Sequence, residues 1–125
     1  MTARAVATRL RLPSEMRTSS LPELLQALGE ETGKPEPLEA VERALSASQR
    51  IVTRLRLAPD TCLYRSLARY ALLRHAGHPA RFMMALDERS NAIEGHAWIE
   101  LDGRPLGETV EPHLAVTFSY PEPTC

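Results

Sequence analysis

Cysteine is scarce in this chain, with only Cys62 and Cys125 among 125 residues. Two thiols, one of them ending a Pro-rich tail "PEPTC", do not make the spaced pattern of a disulfide scaffold. Cys62 is therefore expected to be a free thiol. Long apolar runs are missing as well. None approaches the roughly 18 residues of a membrane span, and arginines break up the N-terminal "MTARAVATRLRLPSEM" too often for a secretory segment. A cytoplasmic protein is expected. Charge of one sign is also lacking. Lys+Arg total 15 and Asp+Glu 16, for a net charge of −1, which argues against nucleic-acid binding. Residues 1–58 hold nine basic and seven acidic groups and residues 59–125 six and nine, so neither half marks a binding patch. No repeat or low-complexity segment occurs. The histidines and cysteines fall into none of the usual zinc spacings, so no metal or cofactor is expected.

What is present suits a soluble globular chain, with 43% apolar and 25% charged residues. The length fits one domain over 1–125, with a mainly helical part (1–58), a core (59–120) and a short tail (121–125). "AVATRLRLP" (5–13) alternates like a short strand. Ser20 caps a short helix over "LPELLQALGEETG", with Pro22 in its first turn and Gly33 as the stop. Residues 37–57 place Leu38, Val41, Leu45, Ser48, Val52 and Leu55 at spacings of three and four, an amphipathic helix. Asp60-Thr61 can cap a further helix running to about Ala76, with Gly77 after it. The period then changes. Residues 79–87, 92–101, 104–110 and 114–120 read as strands separated by turn residues. Helices followed by antiparallel strands predict an α+β fold, with N-terminal helices packed on the sheet.

Cys62 opens the strongest helix. Unpaired amides and the positive end of the helix dipole favour an anion there, hence the thiolate. The same amides can hold an oxyanion on an attacked carbonyl. A buried packing role is the plain alternative for such a cysteine. His96 in "EGHAWIELDG" is the leading base, on a strand between Gly95 and Ala97, with Trp98 on its face. His75 and His78 flank a helix C-terminus, where a cation is favoured anyway, and His113 follows Pro112 in a loop. Two acids compete to orient His96. Asp102 lies six residues along the same strand, roughly 20 Å away. Glu108 falls opposite His96 if the hairpin loop is Leu101-Asp102-Gly103, whereas a two-residue Asp102-Gly103 turn sets His96 against Thr109. The three-residue loop, and with it Glu108, is preferred.

"TCLYRSLARYALLRHAGHPARFMMAL" followed by "GHAWIELDGRPLGE" resembles the lasso-peptide biosynthesis B proteins, specifically their leader-peptidase module. The match covers residues 60–108 well and the N-terminal helices loosely. Specificity comes from combining the Cys-Leu-x-Arg-Ser-Leu and His-Ala-Trp-x-Glu-x-Asp-Gly runs in that order. The resemblance implies a transglutaminase-like (papain-like) cysteine protease fold and a Cys-His-acid hydrolase that removes the leader from a ribosomally made precursor. By position, Cys62 is then the nucleophile and His96 the base. The family's usual aspartate twelve residues after the histidine is replaced here by Glu108. Arg65, Ser66 and Trp98 are candidates to line the substrate groove. The helical reading of 14–58 leaves no room for a leader-binding domain. The resemblance thus implies a split form that works with a separate leader-binding protein and with an ATP-dependent macrolactam synthetase. Acyl transfer to an amine, as in transglutaminases, uses the same residues. A non-catalytic peptide-binding scaffold is the third reading.

Overall fold

The computed structural model describes residues 1–30, 33–87, 95–106 and 114–121. Four helices come first: α1 (Thr2–Thr18), α2 (Leu21–Glu30), α3 (Leu38–Leu55) and α4 (Cys62–His75). Four strands follow: β1 (Arg81–Asp87), β2 (Gly95–Leu101), β3 (Arg104–Pro105) and β4 (Leu114–Tyr120). They form one antiparallel sheet in the order β3-β2-β1-β4. The expected α+β class, with helices on an antiparallel sheet, is the one formed.

The strand expected over 5–13 is not formed. These residues lie inside α1, which runs through Pro13. Ala5, Thr8, Arg9 and Leu12 are its buried positions, spaced as one helical face (i, i+3, i+4, i+7). The segment joins no strand among the described residues; its buried face packs against α3 and α4. Burial of the stripe outweighs the hydrogen bond that Pro13 cannot donate.

The remaining helices start and stop as their local chemistry dictates. Ser20 Oγ accepts from the Glu23 amide and bonds the Glu23 carboxylate at 2.7 Å, a reciprocal cap for α2. The buried face of α3 is Val41, Ala44, Leu45, Ser48 and Val52. It ends where Arg56 turns left-handed (φ 51, ψ 45) and the Leu57 amide reaches back to the Val52 carbonyl. Thr61 caps α4, its Oγ1 accepting from the Tyr64 amide at 3.2 Å. Gly77, at φ 88, takes the chain out of that helix.

The β1/β2 register pairs Phe82 with Ile99, Met83 with Trp98, Met84 with Ala97 and Ala85 with His96. Because side chains alternate along a strand, Phe82, Met84, Ala97 and Ile99 share one sheet face. That face meets the helices in the main core with Leu67, Tyr70 and Leu73. Edge-on ring pairs join the layers and strands, Tyr70–Tyr120 at 6.4 Å and Phe82–Phe118 at 6.3 Å. Met83, Ala85 and Trp98 form a second, smaller cluster on the other face.

One turn departs from expectation. Leu101 pairs with Arg104 and Glu100 with Pro105, while Asp102 and Gly103 both have positive φ (54 and 77). This is the two-residue hairpin with a primed turn, not the three-residue loop. Asp-Gly is the dipeptide best suited to two successive left-handed positions, which is why the shorter loop forms. The register that set Glu108 against His96 is therefore not the one adopted at the hairpin. Glu108 itself lies outside the described residues, as do His113 and Cys125.

Candidate active site

Cys62 is the first residue of α4 and is half-buried against the main core. The chain around it explains its setting. Thr61 takes two of the first-turn amides: Oγ1 accepts from Tyr64 at 3.2 Å and the carbonyl accepts from Arg65 at 3.0 Å. Among the described residues this leaves the Cys62 and Leu63 amides as uncommitted donors, at the end of the helix where the dipole favours negative charge.

A cavity of about 350 Å³ opens beside this helix mouth. Its wall is built by Arg9 from α1, by residues of α3 between Leu45 and Arg50, and by Cys62, Arg65, Ser66 and Arg69 from α4. Ala97, Trp98 and Ile99 of β2, together with Leu106, close the far side. β3 pairs with Glu100 and Leu101, and beyond it the Leu106 amide donates to the Ile99 carbonyl at 2.8 Å. The expected groove residues Arg65, Ser66 and Trp98 all lie on this wall with Cys62.

His96 does not line it. It is the second residue of β2, exposed, one Cα step (about 3.8 Å) from Ala97, which does line the cavity. Its place in the pleat puts it on the Trp98 face, opposite the Ala97 and Ile99 side chains that pack toward α4. Neither the Cys62 sulfur nor the His96 imidazole forms a hydrogen bond, to one another or elsewhere among the described residues. Of the other histidines, His78 binds the Glu36 carbonyl through Nε2 at 2.8 Å and ties the α2–α3 connection to the end of α4. Asp102 sits in the hairpin turn, the place expected for it.

The α4 mouth is held by a polar network that sequence reasoning did not find. Arg9 is 2% exposed. It donates to Gln49 Oε1 at 2.6 Å and to the Pro59 carbonyl at 3.0 Å, and lies 3.6 Å from Asp60. Asp60 accepts from Gln49 Nε2 at 2.9 Å and from Arg65 at 3.2 Å. The Gln49 hydrogen bond, with the neighbouring Arg65 and Arg9 charges, holds the Asp60 carboxyl below the usual carboxylate range. Desolvation lowers the Arg9 guanidinium from its ordinary value, and Asp60 opposes that shift. Asp60 thus anchors the segment before Cys62 rather than capping α4. The available signal was Arg9, a charge inside the apolar stripe of α1.

These features agree with a comparison across families. The family model described as "Transglutaminase-like superfamily" matches residues 2–119. The chain belongs to the transglutaminase-like superfamily. No curated protein and no solved structure gives a match. This superfamily includes cysteine peptidases and acyltransferases, and its members are typically cysteine-dependent enzymes. Among the described residues of this transglutaminase-like chain no three His, Cys, Asp or Glu side chains gather as a metal site, and no helix is long and apolar enough to cross a membrane.

Proposed function

We propose that this transglutaminase-like protein is a cysteine peptidase that removes the leader from a ribosomally made lasso-peptide precursor, in the cytoplasm. The observation that carries the reading is the placement of Cys62: a half-buried thiol at a helix mouth, on a cavity wall, beside two uncommitted amides. The Cys-Leu-x-Arg-Ser-Leu and His-Ala-Trp-x-Glu-x-Asp-Gly runs supply the resemblance to leader peptidases.

In this mechanism the Cys62 thiolate attacks the carbonyl carbon at the leader–core junction. The Cys62 and Leu63 amides stabilise the tetrahedral oxyanion. Collapse breaks the C–N bond, the core amine leaves carrying a proton from His96, and a thioester remains on Cys62. Water then adds to the thioester, giving the leader carboxylate and the free thiol. His96 lies off the cavity wall, on the sheet face away from α4, so this mechanism requires a rearrangement at the start of β2 that brings the imidazole to the sulfur. Glu108 is the proposed orienting carboxylate on the resemblance alone, the hairpin register having removed the geometric argument for it. A separate leader-binding protein presents the precursor, and an ATP-dependent synthetase closes the macrolactam afterwards.

The test is mass spectrometry of precursor incubated with the protein, with and without the leader-binding partner. Separate leader and core fragments are expected, with fragment formation abolished by Cys62→Ala and reduced at least 100-fold by His96→Ala, the scale of general acid–base catalysis. A leader joined to an added amine instead would identify an acyltransferase. Precursor left intact in both tubes, or cut at the wild-type rate by Cys62→Ala, would sink the assignment.

A further inference from the structure

The cavity beside Cys62 is strongly basic. Arg9, Arg50, Arg65 and Arg69 all stand on its wall, and among the described residues no carboxylate does. Two carboxylates behind the wall compensate in part. Asp60 is shared between Arg65 (3.2 Å) and Arg9 (3.6 Å), and Glu42 lies 3.6 Å from Arg69. Among the described residues four guanidiniums against two carboxylates leave a positive excess, and Arg50 has no ion-pair partner. The buried member is the telling one. Arg9 is 98% buried, yet its Nε has no hydrogen-bond partner. A buried charge is costly unless paired and satisfied, so a wall holding this one with a donor unused suits a ligand that brings negative charge. Guanidiniums match the planar fork of a carboxylate, and 350 Å³ lies within the range of small-ligand pockets.

We propose that this cavity is a carboxylate subsite, in which the four guanidiniums receive the side chain of an Asp or Glu in the peptide whose bond Cys62 attacks. The inference rests on the peptidase reading for the identity of the ligand, but not for the presence of the site. Placing the acid here seats the neighbouring peptide carbonyl against the sulfur and rejects peptides that carry an amide at that position.

Two small probes test the site without any peptidase activity. Iodoacetate and iodoacetamide alkylate the same thiol, each forming a C–S bond and releasing iodide, and only the former carries a carboxylate. Peptide mapping after brief exposure gives the rate ratio at Cys62, with Cys125 of the same chain as internal reference. The iodoacetate preference at Cys62 is expected to exceed that at Cys125 by about tenfold, the scale of one charge-assisted contact. Arg65→Gln and Arg50→Gln should each reduce that excess several-fold, and Arg65→Lys should restore part of it. Equal ratios at the two cysteines would overturn the subsite. So would an excess unchanged in the Arg50→Gln/Arg65→Gln double variant, since the helix mouth alone would then be steering the anion. A second arm compares cleavage of peptides carrying Glu or Gln at each position near the junction. Arginine-dependent probe selectivity without cleavage of any peptide keeps the subsite and removes the peptidase. Equal cleavage of the Glu and Gln peptides at every position, with no probe selectivity, does the reverse.

Discussion

The cap of α4 joins fold stability to the proposed chemistry, and Thr61→Ala separates the two contributions. Thr61 is exposed, so removing its hydroxyl leaves no buried cavity, and the loss is confined to its bond with the Tyr64 amide (3.2 Å). Such caps contribute about 1 kcal/mol, with a range of roughly 0.5–2. For a chain of 125 residues, unfolding entropy near 2.1 cal/mol/K per residue gives about 0.26 kcal/mol/K, so 1 kcal/mol corresponds to about 4 °C in Tm. A drop of roughly 2–8 °C is expected by circular dichroism, with Thr61→Ser close to wild type. The same fraying disperses the Cys62 and Leu63 amides, so the iodoacetamide rate at Cys62 should fall in Thr61→Ala and not in Thr61→Ser. A Tm unchanged within about 1 °C, or a Cys62 rate insensitive to the cap, would refute the claim that this turn organises the thiol.

Further outcomes follow from the network and the core. The Asp60 carboxyl is held below its usual range mainly by the Gln49 hydrogen bond. Its stabilisation is therefore complete above the unfolded value near 3.9 and is lost as pH falls through the folded value. Asp60→Asn should flatten the decline in Tm below about pH 4; an unaltered pH profile would show that the network adds nothing to stability. Leu67, at 0% exposure, sits between α4 and the sheet, so Leu67→Ala should cost about 2–5 kcal/mol in urea unfolding, with the slope unchanged. Arg56 holds a left-handed cap (φ 51), where a side chain is disfavoured by about 1 kcal/mol. Arg56→Gly should raise the urea midpoint, and a lower midpoint would mean that the Arg56 side chain compensates.

What could be read from the sequence were the features that are local in origin. Spacings of three and four gave α3, the Ser20 and Thr61 hydroxyls marked two helix starts, and the later change to period two gave the strands. Cys62 at a helix mouth was visible for the same reason, since a cap and a helix dipole are properties of neighbouring residues. Alternation misled at 5–13, where Ala5, Thr8, Arg9 and Leu12 fit a helical face as well as a strand. Nothing in the segment itself could choose between them.

Tertiary structure decided what depends on partners far along the chain. Burial against α3 and α4 made α1 helical despite Pro13, because apolar area removed from water outweighs one missing backbone bond. The choice of which sheet face meets the helices, with a pleat that reverses at every residue, put His96 on the face away from α4. The arginine-lined cavity draws Arg9, Arg50, Arg65 and Arg69 from three helices, a convergence that no stretch of sequence carries. Periodicity chooses each element, while the packing of elements chooses which side chains meet, since contact free energy is summed over residues that the chain itself holds apart.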